Sequence, residues 1–404
     1  MDFELRPVSA DELPAYLRTN AAGFGTAVER TRRNMAAWEL DRTLAAFDAD
    51  RIVASSRNYS LQLTLPGGAV IPAAGVSDVS VLPTHRRRGL LRSMMDRLLD
   101  DADAHGEPVA MLTASEGGIY GRFGFGVSIR TSTVEVDTAA VAFLDDAPAG
   151  TLRMLELEEA HALEPEVFER ARRVQPGAVS RFEPWWIDEQ FQADFGVRFD
   201  VVYESDGGAA DGYLSYGLRS QGTIHGPAHR LIFRDLVAVT PDAVQALWRY
   251  ACEVDLVHTV VALNAPLDFA AGWTLRSPRA ARQTDVRDFL WTRLLDVPVA
   301  LGARTYSSSG GLVVEVHDAL RPGGRADGRF ALDAGADGAA TVHAVASGPD
   351  LVLDVATLSA AWLGGVRFST LARAGRVEEV TPGALLRADA MFVSSPEPAA
   401  LTWF

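Results

Sequence analysis

A strand, a sharp turn and an amphipathic helix follow one another from residue 73 onwards, and this stretch constrains the fold most. The strand predicted over Ala73–Val81 ends before Pro83, because proline cannot continue a β ladder. Apolar residues then recur at helical spacing from Gly89 onwards, at Leu90, Leu91, Met94, Met95, Leu98 and Leu99. A short apolar strand is predicted over Pro108–Thr113. This order implies parallel strand pairing and therefore an α/β unit.

The middle of the chain repeats this order more weakly. Asp78–Pro83 has a near echo in Asp235–Pro241, and each precedes a predicted helix and a further apolar strand, the second over Thr259–Asn264. The echo predicts an internal duplication. Because the second copy lacks the arginine-rich turn, it can keep the fold without the same ligand. Near the start of the chain, Asp11–Phe24 is predicted to form an amphipathic helix.

A third segment begins near Asp285. The spacing of its first apolar residues predicts a helix that carries Phe289, Leu290, Leu294 and Leu295. Short strands with glycine-rich turns follow, and a helix is predicted near Ala356–Trp362. Since 404 residues exceed one ordinary core, we predict several domains. The predicted domains are 1–148, 149–284 and 285–404, with the first boundary in the loop 144–150.

Composition and charge narrow the class of protein. Hydrophobic residues make up 48% and charged residues 23% of the chain, as is typical of a folded soluble protein. No uninterrupted apolar run reaches the length of about 18 residues that a membrane helix needs. The net charge of −15 argues against a nucleic-acid partner and favours cationic ligands.

Residue usage excludes several chemistries. The single cysteine, Cys252, rules out an intrachain disulfide and a cysteine-based zinc site, and its apolar setting favours core packing. All 38 basic residues are arginine, so a Schiff-base lysine, a pyridoxal-phosphate anchor and a phosphate-loop lysine are excluded. We expect no metal centre. The N-terminus lacks the features of a signal peptide, and we expect a cytoplasmic protein without a membrane partner.

The turn between strand and helix carries the clearest chemical signal. Helix N-termini expose unpaired N–H groups and a partial positive charge, which suits a pyrophosphate. Gly89 would let the backbone approach the phosphates, and Arg87, Arg88 and Arg92 add positive charge. The alternative is a solvated basic patch that merely precedes a helix.

These residues resemble the GNAT acetyltransferases. The acetyl-CoA signature of that superfamily is matched by Arg86-Arg-Arg-Gly89-Leu-Leu91, and its second signature by Ser115–Gly126. The resemblance implies an acetyl-CoA site. In that site the pantetheine arm is expected at Val79, Ser80 and Val81. The pyrophosphate is expected at Arg87, Arg88, Gly89, Leu90, Leu91 and Arg92, with further contacts at Ser115 and Glu116.

The resemblance also assigns a role to Tyr120, which matches the general acid of the superfamily. Acetyl transfer expels a thiolate, and a phenol with an ordinary pKa near 10 is protonated at neutral pH and can donate to it. The alternative is a buried aromatic side chain that only packs under the helix. Trp38 is a further candidate for the acceptor pocket.

Over its whole length the chain resembles the Eis family within this superfamily. The residues that carry this resemblance are His85–Arg92 and Glu116–Gly124. It implies an α/β fold with α+β character: a catalytic GNAT domain, a degenerate GNAT-like domain and a sterol-carrier-protein-like α+β domain. It further implies a homohexamer that acetylates small-molecule amines, notably aminoglycosides, with lysine side chains as a further acceptor class.

The family resemblance names the terminal carboxylate, here that of Phe404, as the general base. From the residues alone, the apolar end Leu401–Phe404 would be interpreted as packing or fraying. The residue before Phe404 is Trp403, not an acidic residue that could attract a polycation. Two other functions remain open: a lipid-binding or sterol-binding protein with a GNAT scaffold, and a regulator that binds acyl-CoA without turnover.

Overall fold

The computed structural model describes residues 3–32, 35–186, 195–222 and 228–404. In chain order its strands are β1 (Glu4–Pro7), β2 (Thr43–Asp48), β3 (Arg51–Thr64), β4 (Val70–Val81), β5 (Val109–Thr113), β6 (Gly126–Asp137), β7 (Thr151–Leu155), β8 (Val197–Glu204), β9 (Ala210–Ser220), β10 (His229–Ala238), β11 (Val257–Ala265), β12 (Ala281–Leu294), β13 (Gly310–His317), β14 (Gly328–Ala334), β15 (Ala340–Ala344), β16 (Leu351–Asp354) and β17 (Val377–Glu379). Its α-helices are α1 (Leu13–Phe24), α2 (Val28–Thr31), α3 (Leu90–Ala104), α4 (Leu157–Arg172), α5 (Glu183–Trp186), α6 (Pro241–Glu253), α7 (Val297–Ala303), α8 (Val355–Ala361), α9 (Phe368–Arg373) and α10 (Ala384–Phe392).

The chain forms two compact units. The first unit contains residues 1–129, 176–185 and 288–404, and the second contains 130–175 and 186–287. In the first unit the strands follow the order β1-β2-β3-β4-β5-β12. The β4–β5 pairing is parallel, as the strand–helix–strand order predicted, and β12 runs antiparallel to β5.

Helix α3 begins directly after Gly89, as its apolar spacing predicted. Four residues of its buried face pack in one core with residues of β4, β5 and β12: Met95, Leu98, Leu99 and Ala102. Burial of such side chains stabilises a helix by roughly 1.5–3 kcal/mol for each large residue. The packing fixes the N-terminus of α3 at the end of β4, which positions the site described below.

A second sheet of the first unit has the strand order β15-β14-β13-β16-β17. The predicted helix near Ala356–Trp362 is confirmed as α8. Trp362 is fully buried, and its Nε1 donates a hydrogen bond to Thr292 Oγ1 on β12 at 2.9 Å. Residues of β3, β5 and β12 share one apolar core with this sheet. The sequence-distant parts of the first unit therefore stabilise one another.

The helix predicted after Asp285 is wrong, because this stretch belongs to strand β12. Leu290 pairs with Thr113, and Leu294 pairs with Val109. Six consecutive residues of the strand, Phe289 to Leu294, are buried. A strand that is buried on both faces lacks the alternation of apolar and polar residues, and periodicity alone cannot distinguish its apolar residues from those of a buried helix.

The second unit contains a sheet with the strand order β6-β11-β10-β9-β8-β7. Strand β10, helix α6 and strand β11 follow one another, and β10 and β11 pair in parallel. This repeats the β4–α3–β5 order, as the sequence echo predicted. Trp248 of α6 is fully buried in the core of this unit. No helix within the described ranges is long and apolar enough to cross a membrane.

Candidate active site

The site opens where two parallel strands of the first unit separate. Ala74 and Gly75 of β4 lie opposite Ala110 and Met111 of β5, and the pairing stops there although β4 continues to Val81. Two clefts occupy the gap, a larger one of about 920 Å³ and a smaller one of about 360 Å³. They adjoin, since four residues line both: Phe24, Val79, Ser115 and Tyr120.

A bulge in β4 accounts for this separation. The register between β3 and β4 shifts between Ser55 and Arg57, where β4 contains one residue more than its partner. Asp78 has a φ of 54°, which is uncommon for a residue with a side chain. Its carbonyl oxygen accepts hydrogen bonds from Asn20 Nδ2 and Ser55 Oγ, both at 3.1 Å. Bulges bend and twist the strand that contains them, so β4 diverges from β5 at this point.

The larger cleft contains most of the residues predicted to bind the cofactor. Those that line it are Val79, Ser80, Val81, Arg87, Gly89, Leu90, Leu91, Arg92, Ser115 and Glu116. Arg88 is not among the lining residues, and its Nη2 donates a hydrogen bond to Thr84 O at 3.2 Å. The structure therefore brings the strand end, the helix start and the segment after β5 together, with Arg88 outside that group.

The N-terminus of α3 forms one end of the larger cleft. The N–H groups in the first turn of a helix have no partner within the helix and point outward. Gly89 immediately precedes the helix with a φ of 85°, a conformation that residues with a Cβ rarely adopt. A Cβ at this position would meet no other protein atom within 4 Å. The glycine is therefore required by its backbone angle, and the helix start remains open toward a ligand.

Tyr120 lies at the junction of the two clefts. It begins a 3₁₀ turn, Tyr120–Phe123, that ends at Gly124 with a φ of 83°. Its side chain is mostly buried, with 7% exposed, and its ring meets Phe125 edge-on with centroids 6.1 Å apart. Burial, with a smaller contribution from the negative charge of Glu116, raises the pKa of Tyr120 above its ordinary value. The phenol is therefore protonated at neutral pH and can donate that proton.

The last residues of the chain are held by a segment from its middle, residues 176–185. Arg181 Nη2 donates a hydrogen bond to Leu401 O at 2.6 Å. Thr402 is fully buried, and its Oγ1 donates to Val179 O at 2.8 Å. These contacts anchor the chain up to Thr402 and so fix the position of the two residues that follow.

The smaller cleft combines an aromatic wall with an ion pair. Trp403 and Phe404 line it, together with Arg57 and Asp78, which form an ion pair through Arg57 Nη2 and Asp78 Oδ2. A Cβ on Gly75 would lie 3.1 Å from two ring atoms of Phe404, closer than ordinary contact. The glycine thus leaves room for the Phe404 ring against β4.

Three stretches of the chain match models of known protein families. Family models described as acetyltransferase (GNAT) domains match residues 4–128 and 177–294, and one described as a sterol carrier protein domain matches residues 297–400. The N-acetyltransferase Eis of Mycobacterium tuberculosis (strain ATCC 25177 / H37Ra) is 37% identical over 356 residues, which cover 85% of this chain and 83% of that protein. The chain belongs to the Eis family of GNAT N-acetyltransferases.

Two further relatives support this assignment of the Eis-family chain. An uncharacterized N-acetyltransferase of Streptomyces griseus is 39% identical over 415 residues, covering 98% of this chain and 99% of that protein. The crystal structure of Eis1 from Mycobacterium abscessus is 32% identical and has a TM-score of 0.89, with both chains fully covered. The predicted fold class is confirmed: a mixed α/β chain with two GNAT domains followed by a sterol-carrier-protein-like domain. The predicted boundaries at 148 and 284 stay predictions.

The Eis-family chain is thus an N-acetyltransferase, and its GNAT domains imply acetyl-CoA as acyl donor. The larger cleft has features that fit this donor: an open helix start, several arginines and the end of β4 that is not paired with β5. Within the described parts of the chain, no group of three metal-ligating side chains is close enough to hold a metal ion.

The sequence analysis did not predict several residues that line the clefts. Arg122 and Leu320 line the larger cleft, and Asp78 lines the smaller one. Asp78 had a detectable signal, since aspartate is depleted in strands and Asp78 is the one charged residue of β4. No sequence signal marks Leu320, because it lies some two hundred positions from the two acetyl-CoA signatures. The guanidinium of Arg57 lies 3.4 Å from the centroid of the Trp38 ring. Trp38, the further candidate for the acceptor pocket, is not among the residues that line the smaller cleft.

The two adjacent arginines before Gly89 offer a matched test of the donor site in this Eis-family chain. Arg87→Ala is expected to weaken acetyl-CoA binding about tenfold, because it removes a charged donor from the cleft wall. Arg88→Ala, the control, is expected to change the dissociation constant less than about twofold. Isothermal titration calorimetry with acetyl-CoA measures both. Equal losses in the two variants would contradict a donor site at this helix start.

Proposed function

We propose that this chain transfers the acetyl group of acetyl-CoA to primary amines of cationic small molecules, aminoglycosides and lysine side chains being the classes implied by the family resemblance. The observation that supports this most is that Tyr120 lines both clefts, and Phe404 lines the smaller one. An acyl donor in the larger cleft and an amine in the smaller cleft would meet beside the phenol. We infer direct transfer, without an acylated enzyme.

The donor is proposed to lie along β4 and across the start of α3. Its pantetheine arm would follow Val79–Val81, where the strand is not paired with β5. Its pyrophosphate would accept hydrogen bonds from the N–H groups at Gly89–Arg92, and Arg87 would add charge-assisted bonds. Ser115 and Glu116, after β5, complete the proposed contacts.

Two proton transfers accompany the proposed transfer of the acetyl group. The amine nitrogen attacks the acetyl carbonyl carbon, and the carbon–sulfur bond breaks as the tetrahedral intermediate collapses. Tyr120 donates its phenolic proton to the departing thiolate, which leaves as the CoA thiol. The terminal carboxylate of Phe404 accepts the proton that the attacking nitrogen loses. Exchange with solvent then restores both groups.

An ordinary α-carboxylate has a pKa near 3.5 and is a weak base. An apolar environment raises the pKa of a carboxyl group, because it destabilises the charged form. The half-buried Phe404 ring packs against the apolar core that contains Tyr59 and Leu61, which supports a base at this position. The anchored tail described above supports it further, because a base must be held at a fixed place.

The family resemblance also suggests a cytoplasmic homohexamer, which we include in the proposal. Size-exclusion chromatography with light scattering would give a mass about six times that of one chain if this is correct. A monomer at micromolar concentration would contradict it.

The proposed function is tested by measuring thiol release from acetyl-CoA. Purified protein is mixed with acetyl-CoA and, in separate reactions, an aminoglycoside, a polyamine, a lysine-containing peptide and a simple primary amine. We expect amine-dependent release of free CoA and an acetylated amine by mass spectrometry. Tight acetyl-CoA binding without release for any amine would contradict the proposal and favour the regulator. A co-purifying lipid with no measurable acetyl-CoA affinity would favour the lipid-binding alternative.

A further inference from the structure

A buried ion pair lies behind the 3₁₀ turn that begins with Tyr120, and the proposed mechanism gives this pair no role. Arg293 of β12 and Asp318, which follows β13, are joined through Nη2 and Oδ2 at 2.6 Å. Their side chains are 0% and 2% exposed. A buried ion pair is often no more stabilising than apolar side chains of similar volume, because removing two charges from water offsets their attraction. The position of this pair therefore indicates a task other than stability.

Arg293 connects the pair to the turn. Its Nη1 donates a hydrogen bond of 2.8 Å to the carbonyl oxygen of Phe123, the last residue of the turn. Gly124 makes this approach possible, since a Cβ at that position would overlap Nη1 of Arg293. The guanidinium is planar and presents its donors as a rigid fork. One arm of the fork thus holds the turn, and the other holds Asp318.

Asp318 is held in turn through its second oxygen. Its Oδ1 accepts hydrogen bonds from the backbone N–H groups of Leu320 at 3.1 Å and Arg321 at 3.2 Å. The Arg321 side chain donates to Asp100 Oδ1 on α3 at 2.6 Å. These contacts lead from α3 through Asp318 and Arg293 to the turn. They therefore fix the turn relative to the helix whose start forms the proposed donor site.

Apolar packing supports the same turn but constrains its position less. Tyr120, Phe123 and Phe125 share one core with Trp291 of β12. Apolar attraction is non-directional, whereas a charge-assisted hydrogen bond has a preferred length and direction. A general acid has to lie within hydrogen-bond reach of the atom that it protonates. Since misplacement by about 1 Å can lower a rate about 100-fold, a directional bond at the end of the turn bears on the reaction.

We infer that Arg293, held by Asp318, positions Tyr120 for donation of its proton to the leaving thiolate. The inference rests on the proposed function, in which Tyr120 is the general acid, and adds two positioning residues to it. Neither of them is among the described residues that line the two clefts. Asp318 lies within residues 297–400, which match the sterol carrier protein domain. A residue outside the two GNAT domains thus sets the place of the acid.

The first variant removes the charge of the carboxylate. Asp318→Asn keeps an oxygen for the N–H groups of Leu320 and Arg321, and it replaces the charge opposite Arg293 by an amide. We expect kcat to fall about tenfold to 100-fold because the turn shifts. The dissociation constant of acetyl-CoA should change less than about twofold, because the donor cleft keeps its walls. Thiol release at saturating acetyl-CoA and kanamycin or spermidine gives kcat. Calorimetry gives the affinity, and its stoichiometry counts the folded sites.

The second variant keeps the buried carboxylate paired and so remains informative if Asp318→Asn does not fold. Arg293→Lys retains a positive charge beside Asp318 but replaces the planar fork by a single ammonium. We expect this variant to lose the fixed bond to Phe123 O and about tenfold in kcat, with unchanged affinity for acetyl-CoA.

A second buried pair in the first unit provides matched controls. Arg42 binds Glu107 through both arms of its guanidinium, at 2.9 and 2.7 Å, and neither residue lines the two clefts. Glu107→Gln and Arg42→Lys make the same chemical changes as the two test variants. Both controls should keep the wild-type kcat for folded protein.

A double-mutant cycle separates positioning from a general effect on the structure. In Tyr120→Phe the acid is absent, so a further Asp318→Asn or Arg293→Lys should lower kcat less than about twofold. The same loss with and without the Tyr120 hydroxyl, or wild-type kcat in both single variants, would overturn the inference and leave the proposed function standing. Wild-type kcat in Tyr120→Phe, or no thiol release by the wild-type chain, would overturn the proposed function and this inference with it.

Discussion

Tyr120→Phe is expected to lower kcat about 100-fold to 10,000-fold, the range that removal of a positioned general acid typically produces. The substitution removes one hydroxyl from a ring that is already packed against Phe125, so folding and acetyl-CoA affinity should not change. Thiol release under saturating acetyl-CoA and amine gives kcat, and calorimetry gives the affinity for acetyl-CoA.

A matched control removes the same atom elsewhere in the first unit. Tyr306 is buried, and its hydroxyl donates to Leu301 O at 2.8 Å, outside both clefts. Tyr306→Phe should leave kcat unchanged.

The wild-type enzyme should keep its activity toward alkaline pH at least to the ordinary phenol pKa of about 10, because burial raises the pKa of Tyr120 and the acid stays protonated. Full activity of Tyr120→Phe would remove Tyr120 from the mechanism.

Extension of the chain by three glycine residues after Phe404 is expected to reduce kcat about 100-fold or more, the effect of losing a general base. The extension converts the carboxylate of Phe404 into an amide, which cannot accept the proton. It also places added backbone beside the smaller cleft, which Phe404 lines. Thiol release measured with a simple primary amine and with an aminoglycoside gives the loss for each kind of acceptor.

The same three glycines added before Met1 are the control, and this variant should keep wild-type kcat. Acetyl-CoA affinity should be unchanged in both variants, because the donor cleft is formed by other residues. Normal turnover by the extended chain would contradict the terminal-carboxylate base. The amine would then have to lose its proton to another acceptor.

Much of the proposed donor site could be predicted from the sequence because it is local. Strand β4, Gly89 and helix α3 lie within thirty-odd consecutive residues, so turn chemistry and helical spacing act on neighbours. The φ of 85° at Gly89 and the helix that begins at Leu90 agree with that prediction. The duplication was also visible, because Asp235–Pro241 repeats a short motif with its flanking elements.

The smaller cleft, the proposed acceptor site, could not be predicted in the same way, since it is assembled from residues that are far apart in the sequence. Arg57 meets Asp78 only after β3 and β4 pair with a shifted register. The tail at Thr402 is held by Val179, more than two hundred positions earlier. The error at β12 has the same origin: its residues 289–294 are buried by partners that local periodicity does not reveal.

The two clefts are formed in part by different stretches of the sequence. Residues 79–92 and 115–123 supply nearly all of the larger cleft, whereas Trp403 and Phe404 form part of the smaller one. Under the proposed assignment of the two clefts, we expect substitutions at Trp403 and Phe404 to alter which amines are recognised while acetyl-CoA binding is retained. Homologues with diverged tails and a common arginine–glycine turn should differ in their targets and share their acetyl source.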